Sequence, residues 1–451
     1  MGAACTGCSR SLPPHGPHGP TCTAHKAPFP ISTARHGDIG FSEMPLRRLL
    51  GLPAGAAVSG LLRRGLSTAA SHPPWAMMCY ASAVESPARR ASFKLAEPPC
   101  ASHVLVPGHL LDPRPRPDGI GFLVGGIRAA SGDGLLLLEF VDALLVFDKH
   151  GTDQERRLIG SDMEFTRCVC NPVSGELLRL PEIDGSRKPS NCVFLGILTQ
   201  SESANGPPER YAVAWLSEDE DGEERSFVMR RFLSETGEWE KLAALPSPLP
   251  LARRMVIDHE VLAFAGRLWW VDVSWGAVSV DPFSDRPDLR FVELPRSSVT
   301  EPVEGPRVLG RYRRMGVSEG RLRYAEVSQE EPFLLSSFSL DGDGSSWTLE
   351  HQVPITRLWE HRRDLCEEEK PRIGVVDPLN ASVMHITVGN YAFSVDMNRR
   401  KVLGCCMIDG GDGEGPKSFP TGFLKPCVLP PWLGSSQIPS AGTLSSTKLN
   451  N

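Results

Sequence analysis

The sequence predicts an all-β protein, a propeller-like ring of five or six blades carried behind a basic N-terminal extension. Three observations carry that expectation. From Trp75 onward, short apolar runs alternate with clusters of Gly, Pro, Asp and Ser, the pattern of strands and turns. A strand, a polar turn and a second strand ending in Leu-Pro or an equivalent recur at about 50 to 60 residues, near the kelch-type period. The series is not interrupted by any convincing stretch of helical periodicity.

The repeated turns come in order along the chain. The first joins Cys170 to Pro181 through Asn171 and Gly175, and the second joins Phe232 to Leu242 through Gly237 and Trp239. The third joins Val280 to Pro295, the fourth Phe338 to Glu350 through Trp347, and the fifth Phe393 to Leu403 through Asp396. Each unit is a small twisted sheet that cannot bury both faces alone, so stacking around an axis supplies the missing contacts. Residues 72–118, with Trp75 to Tyr80 and His103 to Val106, are expected to form part of a sixth, closing blade. The segment Val261 to Asp272 predicts two strands joined at a Gly turn, rich in residues that fit a pleated surface. The domain is expected over 72–433, followed by a disordered tail over 434–451.

Gly125-Gly126 and Ser131 to Gly134 superficially resemble phosphate-binding loops. Neither has the lysine or the strand-loop-helix frame that such a loop requires, so both are expected to be turns. The run Leu135 to Phe147 is broken by Glu139 and Asp142 and is too short for the roughly 20 residues of a membrane span. The acidic run Ser217 to Arg225 and the segment Glu367 to Lys370 read as solvated loops.

The net charge of −6 conceals a split. Residues 1–66 hold seven basic side chains against two acids, which leaves −11 for the remainder. An acidic body repels phosphate backbones, which argues against general nucleic-acid binding. Of 12 cysteines, Cys5, Cys8 and Cys22 fall in the extension, and the nine that remain are odd in number and irregularly spaced. That pattern predicts reduced thiols in an intracellular compartment, with Cys168, Cys170, Cys405 and Cys406 as buried structural thiols.

Residues 1–43 are rich in Gly, Pro, His and Cys without hydrophobic period and are expected to be disordered. Their Cys-x-x-Cys and His-x-x-His spacings lack a scaffold that would fix a metal tetrahedron. Residues 44–71 have the Arg-, Ser- and Ala-rich, acid-free composition of an organelle transit peptide, with Met44 as a candidate second start. A mitochondrial address is expected, with chloroplast, cytoplasm or nucleus as alternatives.

The candidate chemistry is sparse. On a strand, His259 would face away from Asp258 and Glu260, so the three would not form a relay, and a strand end before a turn is expected there. His103, His109, His351 and His385 are scattered without metal-ligand spacing. Arg307, Arg311, Arg313, Arg314, Arg321 and Arg323 form a basic cluster, with Arg253 and Arg254. Arg311 and Arg313 would share one strand face, and so would Arg321 and Arg323, which would build an anion-accepting stripe. Trp239, Trp269, Trp270 and Trp347 are expected to pack between blades, with ligand stacking as the alternative. Trp269, Trp270, Arg311, Arg313, Arg321 and Arg323 are thus the candidate interaction surface. No catalytic residue, cofactor or metal ligand is assigned.

Several stretches resemble the plant family called domain of unknown function 1618. They are Arg230 to Trp239, Leu249 to Arg254, Arg267 to Asp272, Val273 to Phe283, Arg311 to Arg314 and Asp377 to Asn380. The resemblance spans roughly residues 75–440 and is most specific in its central half. It implies a plant origin, since the family is expanded in grasses, and a propeller-like fold. A weaker resemblance is to the domains that follow F-boxes in ubiquitin-ligase adaptors, although no F-box precedes the repeats here. The expected role is a monomeric, non-enzymatic scaffold that binds another protein. A hydrolase-like enzyme with polar residues on the axis, and an anion or RNA binder using the Arg stripe, are the alternatives.

Overall fold

The structure is a computed structural model. It describes residues 72–441 apart from 115–119, 148–157, 186, 188–193, 204–205, 220–224, 251–252, 258, 302–307, 343, 359–369 and 409–423. The expected extension and transit segment, Asp258 and Arg307 lie outside the described residues.

Three strands open the described chain: β1 (Trp75–Val84), β2 (Ser92–Lys94) and β3 (Ala101–Pro107). Five sheets then follow as consecutive stretches of sequence. Blade one holds β4 (Ile120–Ala130), β5 (Leu136–Phe147), β6 (Leu158–Cys170) and β7 (Leu177–Arg179). Blade two holds β8 (Leu195–Gln200), β9 (Arg210–Glu218), β10 (Ser226–Leu233) and β11 (Glu238–Pro246). Blade three holds β12 (Leu262–Phe264), β13 (Arg267–Asp272), β14 (Gly276–Val280) and β15 (Arg290–Glu293). Blade four holds β16 (Arg313–Ser318), β17 (Arg321–Val327), β18 (Leu334–Leu340) and β19 (Trp347–Pro354). One helical turn, Ile355–Leu358, leads on to blade five. That blade holds β20 (Arg372–Val376), β21 (Val383–Val388), β22 (Tyr391–Asp396) and β23 (Lys401–Met407). The last strand, β24 (Lys425–Val428), joins the opening three in a sixth sheet of order β2-β3-β1-β24.

The result is a six-bladed propeller. Within blades one to five every neighbouring pair of strands is antiparallel. Each blade's first strand, β4, β8, β12, β16 or β20, touches the first strand of the next, and β24 completes the circuit between β20 and β4. These six strands therefore line the axis. The five repeated turns of the sequence all fall between the third and fourth strands of their blades, which is why they recur at a steady period.

The predicted hairpin over Val261–Asp272 forms as β12 and β13, with Leu262 opposite Trp269. Its turn places Ala265 at φ 51° and Gly266 at φ 70°, the pair of left-handed conformations that suits the twist of a two-residue hairpin. Gly125-Gly126 is not a turn. Both residues lie inside β4, and a Cβ at Gly125 would stand 2.3 Å from the Ala81 carbonyl and 2.5 Å from the Phe140 ring. The glycine is there because the backbone of β1 crosses β4 at close range.

The sixth blade differs from the rest. β1 pairs antiparallel with β24 but parallel with β3, so its four strands come from the two ends of the described chain. The core is continuous around this closure, with Ala76, Met78 and Val104 packed with Leu136, Phe140 and Cys427. Packing also continues past residue 433, where an unfolded tail was expected, since Ile438 is buried and its N–H donates to Glu176.

The thiol expectation is corrected at one pair. Cys100 and Cys406, 306 residues apart in sequence, form a disulfide. It spans blades six and five. Cys79, Cys168, Cys170 and Cys427 are buried thiols, and Cys405 is exposed. The spacing of the cysteines held no trace of the pair, because the fold alone brings these two residues together.

Candidate functional site

The inner strands of the propeller carry a buried network of charge. Glu260 sits two residues before β12, Arg314 on β16 and Lys425 on β24. Arg314 Nε donates to Glu260 Oε1 at 2.9 Å and Lys425 Nζ lies 2.8 Å from Glu260 Oε2. The guanidinium of Arg314 also donates to the carbonyls of Gly374 and Leu424. One arginine thus ties together blades three, five and six from its own position in blade four. All three charged side chains are at most 7% exposed.

Burial pushes the Glu260 carboxyl up, but Arg314, Lys425 and His259 outweigh it and hold the group at about 2. Burial pulls the Lys425 ammonium below its usual value despite the opposing pull of Glu260. The two partners differ because the carboxylate is shared between two cations, whereas Lys425 has that one anion in common with Arg314. His259 beside them is lowered to about 3, chiefly by burial and in part by Arg314 and Lys425. The expected strand end before a turn is in fact the centre of the axial network. Nothing in the sequence around His259 marked it, because the cations beside it, Arg314 and Lys425, come from two other blades.

A second network stands beside it on blade one. Glu139 on β5 accepts from Arg128 Nε and from Arg167 Nε, each at 2.8 Å. The two networks together hold two carboxylates and four cations in ion pairs. Among the described residues no group of three or more His, Cys, Asp or Glu side chains could hold a metal ion.

At the seam of blades five and six, Ser394 Oγ lies 3.1 Å from His385 Nδ1, and His385 Nε2 lies 3.5 Å from Asp377 Oδ2. Trp75 meets the imidazole edge-on with ring centroids 5.1 Å apart. The residue types are those of a nucleophilic relay. Yet Ser394 is in the middle of a strand paired on both sides, and Asp377 Oδ1 is occupied by the N–H groups of Leu379 and Asn380. The trio fastens the first turn of blade five to its second and third strands. It borders a cleft of about 370 Å³ walled by Pro73, Trp75, Pro98, Pro99 and Leu403.

The sequence-derived surface is largely inside the protein. Trp270 is fully buried and donates its indole N–H to the Phe194 carbonyl, while Trp269 is 7% exposed and donates to Phe264. Trp239 and Trp347 likewise donate to Pro181 and Glu293. Three of these four bonds cross to the preceding blade, so the tryptophans are inter-blade fasteners. The Arg stripe does not form. Arg311 belongs to a short turn before β16 and is exposed, whereas Arg313 donates to the carbonyls of Val273 and Ser298. Arg321 is exposed at the start of β17, but Arg323 is buried against Glu350. Arg313 is taken up by blade three and Arg323 by a carboxylate of its own blade, so the charge a flat strand would have displayed is partly consumed.

What the sequence did not mark is an apolar surface on blade one. Its first three strands, of 11, 12 and 13 residues, are the longest among the described residues. β7 pairs only with Cys168–Cys170 and leaves most of β6 without a β7 partner. Over that length, Phe122, Ala143 and Met163 stand directly opposite one another, and so do Val124, Val141 and Phe165. Phe122, Val124 and Met163 are 46%, 52% and 38% exposed. No helix among the described residues is long and apolar enough to cross a membrane.

Among curated proteins none matches the chain. Solved structures similar to it include apo AztD from Citrobacter koseri, at 12% identity and TM-score 0.25 over 60% of this chain and 58% of that one. The chain thus spans 58% of the length of the AztD chain that it matches. A mutant of the Aleuria aurantia lectin in complex with alpha-methyl-L-fucoside is similar at 12% identity and TM-score 0.29, over 65% of this chain and 97% of that one. A putative 6-phosphogluconolactonase from Bacteroides fragilis is similar at 11% identity and TM-score 0.25, over 64% and 82%. Residues 270–387, from Trp270 in blade three to Thr387 in blade five, match the model of the family described as protein of unknown function (DUF1618).

Proposed function

We propose that the chain is a non-enzymatic propeller scaffold that binds another protein at the long end of blade one. The observation that carries the reading is the row of exposed apolar side chains Phe122, Val124 and Met163 beside a long strand that β7 leaves mostly uncovered. Exposed apolar residues in register across adjacent strands mark a surface that gains by being covered. Up to Phe165, whose N–H donates to the Arg187 carbonyl, the outer edge of β6 has no strand partner among the described residues. Such an open edge selects for an extended partner segment, which supplies backbone hydrogen bonds and sets alternate side chains against the apolar row. The fitting occupant is therefore a β-strand of another protein whose inward positions are apolar. On the axis, by contrast, Glu260 is held in ion pairs with the buried cations Arg314 and Lys425, which ranks the axial enzyme below the scaffold.

Selection of displayed random peptides on the purified full chain tests this. Enriched peptides are expected to alternate apolar residues, to slow hydrogen exchange in β6, and to lose binding in Phe122→Ser/Met163→Ser. Failure of any peptide to enrich, or protection confined to other blades, would refute the reading.

A further inference from the structure

The described cysteines divide sharply by chemistry. Burial pushes Cys79, Cys168 and Cys427 up to about 12 and Cys170 well above its ordinary value, so these four thiols stay protonated and shielded. The remaining described cysteines all lie at one place, the outer part of the seam between blades five and six. Cys100 directly precedes β3, and Cys405 and Cys406 are consecutive on β23. Cys100 and Cys406 are both partly exposed, and Cys405 is exposed.

The position of the disulfide gives it leverage. Among the described residues blade six is the only sheet assembled from distant parts of the chain, and β24 pairs with just four residues of β1. Cys100–Cys406 is a second fastening across the adjoining seam. Its flanking residues, Pro98 and Pro99 on one side and Leu403 and Gly404 on the other, are walls of the 370 Å³ cleft above His385 and Ser394. The two walls belong to different blades, and the disulfide is the covalent tie between them.

We propose that Cys100–Cys406 is a redox-operated clamp on this seam, closed by oxidation and opened by a dithiol reductant, so that access to the cleft follows the thiol redox state of the surroundings. On opening, a thiolate of the dithiol attacks Sγ of one cysteine and forms a mixed disulfide, and the other cysteine leaves as a thiolate. The second thiol of the reductant then closes on the mixed disulfide and releases the remaining thiolate. Two electrons pass from the dithiol to the cysteine pair, and the dithiol's two protons end on Cys100 and Cys406. Oxidised glutathione reverses the exchange and is itself reduced to the thiol.

The test uses the purified full chain, with dithiothreitol to open the clamp and oxidised glutathione to close it. Peptide mapping of the oxidised protein without reduction is expected to recover a Cys100–Cys406 linked peptide. Dithiothreitol should then expose two further thiols to alkylation and speed hydrogen exchange roughly tenfold over residues 92–106 and 401–407, with blade three unchanged. It should also lower Tm by roughly 2 to 10 °C. Oxidised glutathione should restore both. Cys405→Ser should keep the link and the response, and Cys100→Ser should behave as permanently open. Free Cys100 and Cys406 in the oxidised chain, a link through Cys405 instead, or unchanged exchange on reduction would each overturn the clamp. None of these outcomes bears on peptide binding at blade one, so the two proposals stand or fall separately.

Discussion

The axis and the far end of blade one depart from the ordinary distribution of side chains in opposite directions. At the axis, charge is buried: Glu260, Arg314 and Lys425 are almost fully covered. At the end of blade one, apolar surface is exposed: Phe122, Val124 and Met163 stand in solvent. The first arrangement is complete in itself, since each charge has partners from other blades and removal of one strands the rest. The second is incomplete, since three large apolar side chains keep 38 to 52% of their surface exposed. Self-sufficiency marks a structural device, and incompleteness marks a surface with external business.

Three expectations sharpen this contrast. The largest effect should come from Glu260→Gln, which leaves Arg314 and Lys425 buried without their shared anion. The expected loss is about 3 to 5 kcal/mol of unfolding free energy by denaturant titration at pH 7. A loss under about 1 kcal/mol would show that the axis is wetter than its burial indicates.

Next in size is acid sensitivity. His259 and Glu260 both have folded-state values depressed below their ordinary ones. Each therefore adds stability that is complete above its unfolded value and is lost as pH falls toward the folded one. The His259 contribution fades from about pH 6.5 downward and the Glu260 contribution from about 4.5 toward 2. The carboxylate part should amount to about 3 kcal/mol and be missing from the pH profile of Glu260→Gln. Identical wild-type and variant profiles below pH 4.5 would remove Glu260 from the account.

The smallest effect on stability should come from Phe122→Ser/Met163→Ser. These side chains are already 46% and 38% exposed, so unfolding should change by no more than about 0.5 kcal/mol. Destabilisation beyond about 2 kcal/mol would mean that the row is packed in solution, and the contrast with the axis would collapse.

How legible each region was in the sequence follows from how far its contacts reach. The strand-turn-strand units at Gly175, Gly237, Asp281, Trp347 and Asp396 were visible because each is a hairpin of adjacent residues with its own turn chemistry. The hairpin at Gly266 was visible for the same reason. Blade six was only half visible. Trp75–Tyr80 and His103–Val106 showed as strands, but a parallel β1–β3 pair completed by β24 leaves no local period to read. Gly125-Gly126 was misread as a turn because glycine in a strand and glycine in a turn look alike until the crossing backbone of β1 is known. The Arg cluster was misread because strand alternation assigns a face but not what covers it. Arg313, Arg314 and Arg323 find carbonyls and carboxylates on neighbouring strands and blades. Glu260 was weighed only as a relay partner of His259 and set aside, since its significance comes from Arg314 and Lys425, 54 and 165 residues further along.

The way the ring is completed has a consequence for biosynthesis. The inner strand of blade six, β24, is the last of the described strands to leave the ribosome, while its partner β1 emerges hundreds of residues earlier. Until translation reaches Val428, β1 has no companion on its axial side, and the sticky inner edges of a nascent arc must be shielded by chaperones or by each other. A ribosome that stalls anywhere before that point releases an open arc, so quality control has a simple signature to act upon: an unmated first strand.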